Sequence, residues 1–314
     1  MNTRKTLGSS DLKVHPLCLG GNVFGWGADE AESFAILDAY VAAGGNFVDT
    51  ADTYTAGAAG NVGGESETII GKWMAARGNR SDVVVATKVG IHPQFKGLAP
   101  ANIRAAAEAS LRRLGTDHID LYFTHFDDTS VPVEEIITTL DALVKEGKVR
   151  ATAASNISPE RLSASLAFSE REGLARYAAL QPHYNLVSRD SYEGELQDIV
   201  ERHGMGCLPY FSLAAGFLTG KYRPGTTVDS VRLNRVAPYL ESESAARVLA
   251  TLDKIVEARG VEMATVALAW LAQRPTVVAP IASARTVGQL PPLLAMSDFR
   301  LTDAEMTELT EASA

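Results

Sequence analysis

The chain has 314 residues, with 29 Lys and Arg against 38 Asp and Glu and a formal net charge of −9. With 46% hydrophobic and 21% charged residues, it has a globular composition rather than a disordered or fibrous one. A pI near 5.2 speaks against a nucleic-acid binder, whose phosphate partners demand a basic face.

No apolar run approaches the ~20 residues needed to span a bilayer. The opening stretch, MNTRKTLGSSDLKVH, lacks the apolar core of a signal peptide. Two cysteines, Cys18 and Cys207, cannot build a disulfide framework and fit a reducing compartment, most simply the cytoplasm. The length suits either two average domains or one large α/β barrel.

In chain order, a short piece at residues 3–16 reads as a hairpin. Eight short apolar runs then follow at residues 17–20, 46–49, 83–88, 119–124, 149–154, 179–182, 206–210 and 277–281. They are apolar rather than alternating, as strands buried on both faces are. Helical patterns lie between them. In 101–114, Ile103, Ala106, Ala107, Ser110, Leu111 and Leu114 share a face, and Gly115 supplies the stop. Ser158-Pro159 places a capping serine before a first-turn proline. Residues 265–273 are amphipathic and stop at Arg274-Pro275. A last helix starts near Thr302.

Eight strands alternating with helices imply parallel pairing through right-handed crossovers. The alternative is a doubly wound open sheet, which usually carries G-x-G-x-x-G after its first strand. The glycine-rich stretch Leu19–Gly27 lacks that spacing. The expected fold is therefore one (β/α)8 TIM barrel over residues 1–314, with a short N-terminal hairpin and an extra C-terminal helix.

A barrel carries its site at the C-terminal ends of its strands. Asp49 ends the second strand, Lys88 the third, and His125 follows the fourth. Parity turns them inward: Phe47 shares a face with Asp49, Val84 and Ala86 with Lys88, and Ile119, Leu121 and Phe123 with His125. Tyr54 lies in the loop after Asp49. Singly, each is more simply a solvated, ion-paired or structural group. Together they bring a carboxylate, an ammonium, an imidazole and a phenol to one mouth, where each shifts the others' pKa.

Metal binding is the competing use. His118 and His125 are the only close histidine pair, and about 20 Å of strand separates them with opposite parity. There is no H-x-H, H-E-x-x-H or C-x-x-C.

The segments Asp49-Thr50-Ala51-Asp52-Thr53-Tyr54, Ala86-Thr87-Lys88 and Asp120-Leu121-Tyr122-Phe123-Thr124-His125 resemble the catalytic-tetrad segments of the aldo-keto reductase superfamily. The resemblance continues through Gly147–Arg150, Ala154-Ser155-Asn156, Leu180–Asn185, Pro209–Leu213, Gly216–Tyr222 and Val266–Trp270, across almost the whole chain. It implies NADPH-dependent reduction of a small-molecule aldehyde or ketone. Tyr54 would be the general acid, with Lys88 lowering its pKa, Asp49 holding Lys88 charged, and His125 orienting the carbonyl. No metal is needed.

The resemblance also implies a cofactor set. Ser155, Asn156 and Gln181 match carboxamide-binding positions, and Tyr210 matches the aromatic that stacks on the nicotinamide. Ser212, Leu213, Gly216, Leu218 and Lys221 match a loop over the pyrophosphate. Ser283, Arg285 and Gln289 match the grip on the 2′-phosphate, with Arg285 the main discriminator of NADPH from NADH. Two departures stand out. Ser283 replaces a more usual Gly. Pro291-Pro292-Leu293 replaces an adenine contact and breaks any helix begun at Thr286, so the eighth helix is expected to restart at Pro291.

Phe24, Trp26, Phe126 and residues 221–244 are expected to line the substrate pocket, with Arg232 and Arg235 simply solvated. The expected assembly is a monomer or weak homo-oligomer, without nucleic-acid or membrane partners. Two other functions compete. One is a non-enzymatic NADPH-binding regulatory subunit, since some relatives of the fold are accessory subunits of membrane channels that keep the tetrad. The other is a metal-dependent barrel hydrolase.

Overall fold

The computed structural model describes residues 4–223 and 233–314. The chain opens with a two-stranded antiparallel hairpin, β1 (Lys5–Thr6) and β2 (Lys13–Val14). The barrel then begins: β3 (Cys18–Gly20), α1 (Glu30–Ala42), β4 (Phe47–Asp49), α2 (Glu65–Arg77) and β5 (Val84–Val89). A small hairpin, β6 (Ile91–His92) and β7 (Phe95–Lys96), precedes α3 (Pro100–Leu114). Next come β8 (Ile119–Thr124), α4 (Val133–Lys145), β9 (Val149–Ser155), α5 (Pro159–Glu172), β10 (Tyr177–Gln181), α6 (Glu195–Arg202) and β11 (Gly206–Cys207). The last third holds α7 (Leu233–Leu240), α8 (Glu243–Arg259), α9 (Met263–Ala272), β12 (Ile281–Ala282), α10 (Leu290–Leu294) and α11 (Asp303–Ala312).

The large sheet runs β11-β10-β9-β8-β5-β4-β3-β12, every pairing parallel. Its two edges meet. Cys207 N–H donates to Thr276 O, Val278 N–H to Cys207 O and Ile281 N–H to Pro209 O, each at 2.9 Å. This is a (β/α)8 barrel. The last two strands are shorter than residues 206–210 and 277–281 predict. Pro209 and Pro280 sit at this seam, and a proline offers no N–H to a ladder.

Two apolar layers follow from strand parity. Phe47, Val84, Ala86, Leu121, Phe123, Ala151, Ala153 and Ala179 fill the interior, and Leu7, Leu12 and Val14 of the hairpin segment pack with them. Val48, Val85 and Tyr122, one residue out of phase, pack with the helices. Ile119, expected on the inner face, joins the helical layer instead; it is the first residue of β8, where the wall begins.

Local signals act where the sequence places them. Ser158 Oγ accepts from Arg161 N–H, with Pro159 in the first turn of α5. Gly115 ends α3 in the left-handed conformation, at φ 62°. Pro291 and Pro292 open α10 rather than interrupting it, and Thr302 caps α11 through a capping box with Glu305. No described helix is long and apolar enough to cross a membrane.

Candidate active site

The four tetrad residues meet at the C-terminal mouth of the barrel. β4 continues past Asp49 as a pairing with β5: Thr50 N–H donates to Ala86 O at 2.7 Å and Asp52 N–H to Lys88 O at 3.3 Å. The chain then turns, Tyr54 N–H reaching Ala51 O at 3.2 Å. Gly21 stands against this corner, where an added Cβ would lie 2.9 Å from Ser66 Oγ and 3.2 Å from Asp49 O. The close approach of β3 to β4 thus depends on a missing side chain.

Asp49 and Lys88 are buried, at 1% and 0% exposure. The Lys88 ammonium sits 2.7 Å from the Asp49 carboxylate, 2.7 Å from Thr50 O and 2.8 Å from Tyr54 Oη. All three of its protons therefore have acceptors. Tyr54 Oη also donates to Asp49 Oδ2 at 3.0 Å. Tyr54 and His125 are only half-buried, and their rings meet edge-on with centroids 6.0 Å apart. The charged pair forms the floor, and the phenol and imidazole open above it.

Burial, followed by the Asp49 carboxylate, pushes the Tyr54 phenol well above its ordinary value. This corrects the expectation that Lys88 lowers it: desolvation and the adjacent carboxylate both oppose the phenolate and outweigh the ammonium. Burial in turn pulls the Lys88 ammonium down, against Asp49. Burial and Lys88 hold His125 well below the usual imidazole value, so its ring is neutral at neutral pH. Its Nδ1 is enclosed without a hydrogen-bond partner.

A bonded chain joins the tetrad to the residues matched to the nicotinamide end. Gln181 Nε2 donates to Asp49 Oδ1 at 2.9 Å, and Ser155 Oγ donates to Gln181 O at 2.7 Å. Asn156 Nδ2 reaches Ser155 Oγ at 3.0 Å and His125 O at 2.8 Å. Tyr210 Oη donates to Asn156 Oδ1 at 2.7 Å. One face of Tyr210 is covered by His183, stacked at 5.4 Å and 18°.

The loop after Tyr210 carries a run of left-handed residues: Ala214 (φ 48°), Ala215 (φ 57°) and Gly216 (φ 99°). Two of these amides are bonded within the loop, Ala214 N–H to Phe211 O at 2.7 Å and Gly216 N–H to Leu213 O at 2.8 Å, so the turn is closed by its own hydrogen bonds. Ser212 Oγ donates to Pro209 O, and Leu213 O accepts from Gly216 N–H and Leu218 N–H, which hold the loop in shape. The Lys221 Nζ lies where a Cβ on Gly216 would meet it at 3.4 Å, so a cation borders this turn.

Across the mouth, Arg285 is exposed, and its guanidinium makes no hydrogen bond or ion pair among the described residues. Gln289 Oε1 accepts from Arg285 N–H at 2.9 Å, while the Ser283 hydroxyl donates to Asn22 Oδ1. Trp26 and Phe126 are exposed, but Phe24 is fully buried in the helical layer, so it is no pocket wall. Arg235 lies 5.6 Å over the Phe211 ring rather than simply in solvent; Arg232 falls outside the described residues.

Residues 16–314 match the family model described as the Aldo/keto reductase family. The chain belongs to this family. It is 32% identical to norsolorinic acid reductase B of Aspergillus parasiticus, over 97% of this chain and 82% of that protein. It is 31% identical to protein tas of Escherichia coli, over 96% and 94%. It is also 32% identical to a probable voltage-gated potassium channel subunit beta of Arabidopsis thaliana, over 91% and 88%. This aldo/keto reductase is thus an oxidoreductase of the NAD(P)H-dependent carbonyl-reducing class.

Sequence reasoning missed several features of the site. The Gln181–Asp49 bond and the stacking of His183 on Tyr210 were both available from parity, since residues 181 and 183 share a face at the end of β10. Asp120, quoted with the tetrad segment, is separate from it. It is buried and pairs with Arg80 and Arg150 at 2.8 Å each.

Proposed function

We propose that the protein reduces an aldehyde or ketone to the alcohol, with NADPH preferred over NADH and Tyr54 as the proton donor. The observation that carries this reading is the Lys88 ammonium bridging the Asp49 carboxylate and the Tyr54 phenol at 2.7 and 2.8 Å. A bound reduced nicotinamide supplies the hydride. The phenol stays protonated at neutral pH, as an acid must before it acts. As negative charge develops on the substrate oxygen, the Tyr54 Oη proton passes to it, and the Lys88 ammonium stabilises the phenolate left behind. The neutral His125 ring, beside the phenol, orients the carbonyl. Asp49 compensates the buried ammonium.

Asn156, Ser155, Gln181 and the open face of Tyr210 would hold the nicotinamide end. The Lys221 ammonium beside the Ala214–Gly216 turn suits a pyrophosphate, and the Arg285 guanidinium, without a bond among the described residues, suits a 2′-phosphate. We read residues 1–314 as one cytoplasmic barrel domain, monomeric or weakly self-associating. The likeness to a channel beta subunit favours a second reading, a regulatory subunit that binds NADPH. Among the described residues, no three His, Cys, Asp or Glu side chains gather as a metal-ligand set.

NADPH oxidation with a panel of activated aldehydes, with and without chelator, tests the reading. Chelator-indifferent turnover is expected. Tight NADPH binding without turnover on any carbonyl would favour the regulatory subunit.

A further inference from the structure

Asp52 lies between Asp49 and Tyr54, on the loop that carries the phenol into the mouth. Its side chain has no exposure, and neither carboxylate oxygen has a side-chain hydrogen-bond partner; only the amide of the neighbouring Thr53 is at hand. Buried carboxyls are almost always partnered, so this one is anomalous. Its main chain is fixed by the bond to Lys88 O, and Gly63 approaches so closely that a Cβ there would lie 3.0 Å from Asp52 O.

The charged and titratable groups around it come from five elements: Glu67 on α2, Arg113 on α3, Lys88 on β5, Tyr122 on β8, and His92 on β6, whose ring packs on Gly63. Neither cation is free to neutralise Asp52. Arg113 Nε donates to Glu67 Oε2 at 2.6 Å, while Thr87 Oγ1 donates to Glu67 Oε1 at 2.5 Å. Lys88 spends its three protons on Asp49, Thr50 and Tyr54. Burial, then the Glu67 charge, pushes the Asp52 carboxyl up to about 8, against the weaker pull of Arg113, Lys88 and the Thr53 amide. Burial and Arg113 hold His92 low, so it adds no positive charge at neutral pH.

We propose that Asp52 is a positioning residue for the reduction: a buried carboxyl beside the tetrad with no side chain to pair it, on which a negative charge competes for Lys88 and weakens the support Lys88 gives to the Tyr54 phenolate. The proposal rests on Tyr54 acting as the acid. Asp52 makes no bond to substrate and exchanges no proton with it. Its charge acts on the equilibrium between phenol and phenolate at Tyr54 Oη. Transfer of that proton to the substrate oxygen leaves an anion at Tyr54, and an ionised Asp52 makes that anion harder to form.

The test is the pH profile of kcat for reduction of an uncharged aldehyde by wild type, Asp52→Asn and Glu67→Gln. Wild type is expected to slow as pH rises, with a midpoint near Asp52's own ionisation. A change of about one unit in phenol acidity gives a fall of up to about tenfold. Asp52→Asn, of equal size and without charge, should lose this limb. Glu67→Gln removes the repelling charge and releases Arg113, so its midpoint should move to lower pH by about one unit or more. A limb that persists in Asp52→Asn at the wild-type midpoint overturns the proposal, as does an unmoved midpoint in Glu67→Gln.

An NMR titration of wild-type protein carrying ¹³C-labelled aspartate needs neither a folded variant nor turnover. One carboxyl titrating above neutrality supports the proposal. All aspartates titrating in the ordinary carboxylate range overturn it. Because that measurement is independent of catalysis, its failure is distinct from absence of turnover on every carbonyl, which would defeat the functional reading instead.

Discussion

At the floor of the mouth, the Lys88 ammonium gives all three of its N–H bonds to protein acceptors; at the rim, the Arg285 guanidinium gives none among the described residues. Both are cations on the same open end of the barrel, and burial explains the difference. A buried charge without partners costs several kcal/mol, so the floor must be satisfied when the chain folds. An exposed guanidinium is solvated by water and can remain available to an anion at little cost. The floor is therefore both structure and machinery, whereas the rim can be reserved for binding. Substitutions should separate the two regions.

The largest effect is expected for Lys88→Met. Reduction should fall by at least the 10²–10⁴-fold typical of general acid catalysis, because the phenolate loses its counter-charge. Asp49 would be left as a buried, uncompensated charge, at a cost of about 3–5 kcal/mol in stability. Steady-state kinetics and thermal unfolding on the same preparation measure both. A full-strength Tm would show that the floor pair is not structural.

Tyr54→Phe keeps the ring and should leave the fold nearly intact, while kcat falls by about 10²–10⁴ and NADPH affinity hardly changes. If Tyr54 is only a pocket wall, the variant keeps its kcat and alters KM for the carbonyl alone. A fluorescence titration of NADPH beside the kinetics distinguishes the two.

Arg285→Ala tests the rim. Losing a charge-assisted contact should weaken NADPH binding by about ten- to a hundred-fold, or about 1.5–3 kcal/mol, and leave NADH binding and Tm nearly unchanged. An unaltered ratio of the two affinities would place the discriminator elsewhere.

The smallest effect concerns the half-buried His125. Its folded-state pKa is depressed by burial and by Lys88, so the unfolded chain takes up this proton first as pH falls. The associated stability is complete above the unfolded value of about 6.5 and drains below it, by at most about 1.4 kcal/mol per pH unit. Denaturant unfolding between about pH 7 and pH 5 should therefore show a shallower acid decline for His125→Gln than for wild type.

Much of this comparison is legible in the chain itself. The alternation of apolar runs with helical patterns locates eight strands, and period-two parity turns Asp49, Lys88 and His125 to one side. The Pro291-Pro292 pair marks where α10 begins, because the first turn of a helix is where proline costs least. Phe24 lies in the core where the sequence predicts a pocket wall, because a glycine-rich loop gives no periodicity by which to tell a buried ring from an exposed one. The shortened seam strands were hidden for a related reason. Apolar content shows that residues 206–209 and 277–281 are buried, while the proline positions decide which amides can pair.

The sequence by itself determined the fold class, the family and the identity of the four residues at the mouth, because periodicity, punctuation and motif order are properties of the chain read in one dimension. Only the tertiary structure decided how those residues act on one another. Asp49 and Gln181 stand 132 positions apart and share a hydrogen bond. The Tyr54 phenol rises in pKa where the ammonium alone would lower it. Asp52, two residues before that phenol, is buried with no side-chain partner for its carboxyl. Desolvation and charge proximity are set by three-dimensional distance and burial, and the order of residues along the chain does not contain either until the barrel has closed.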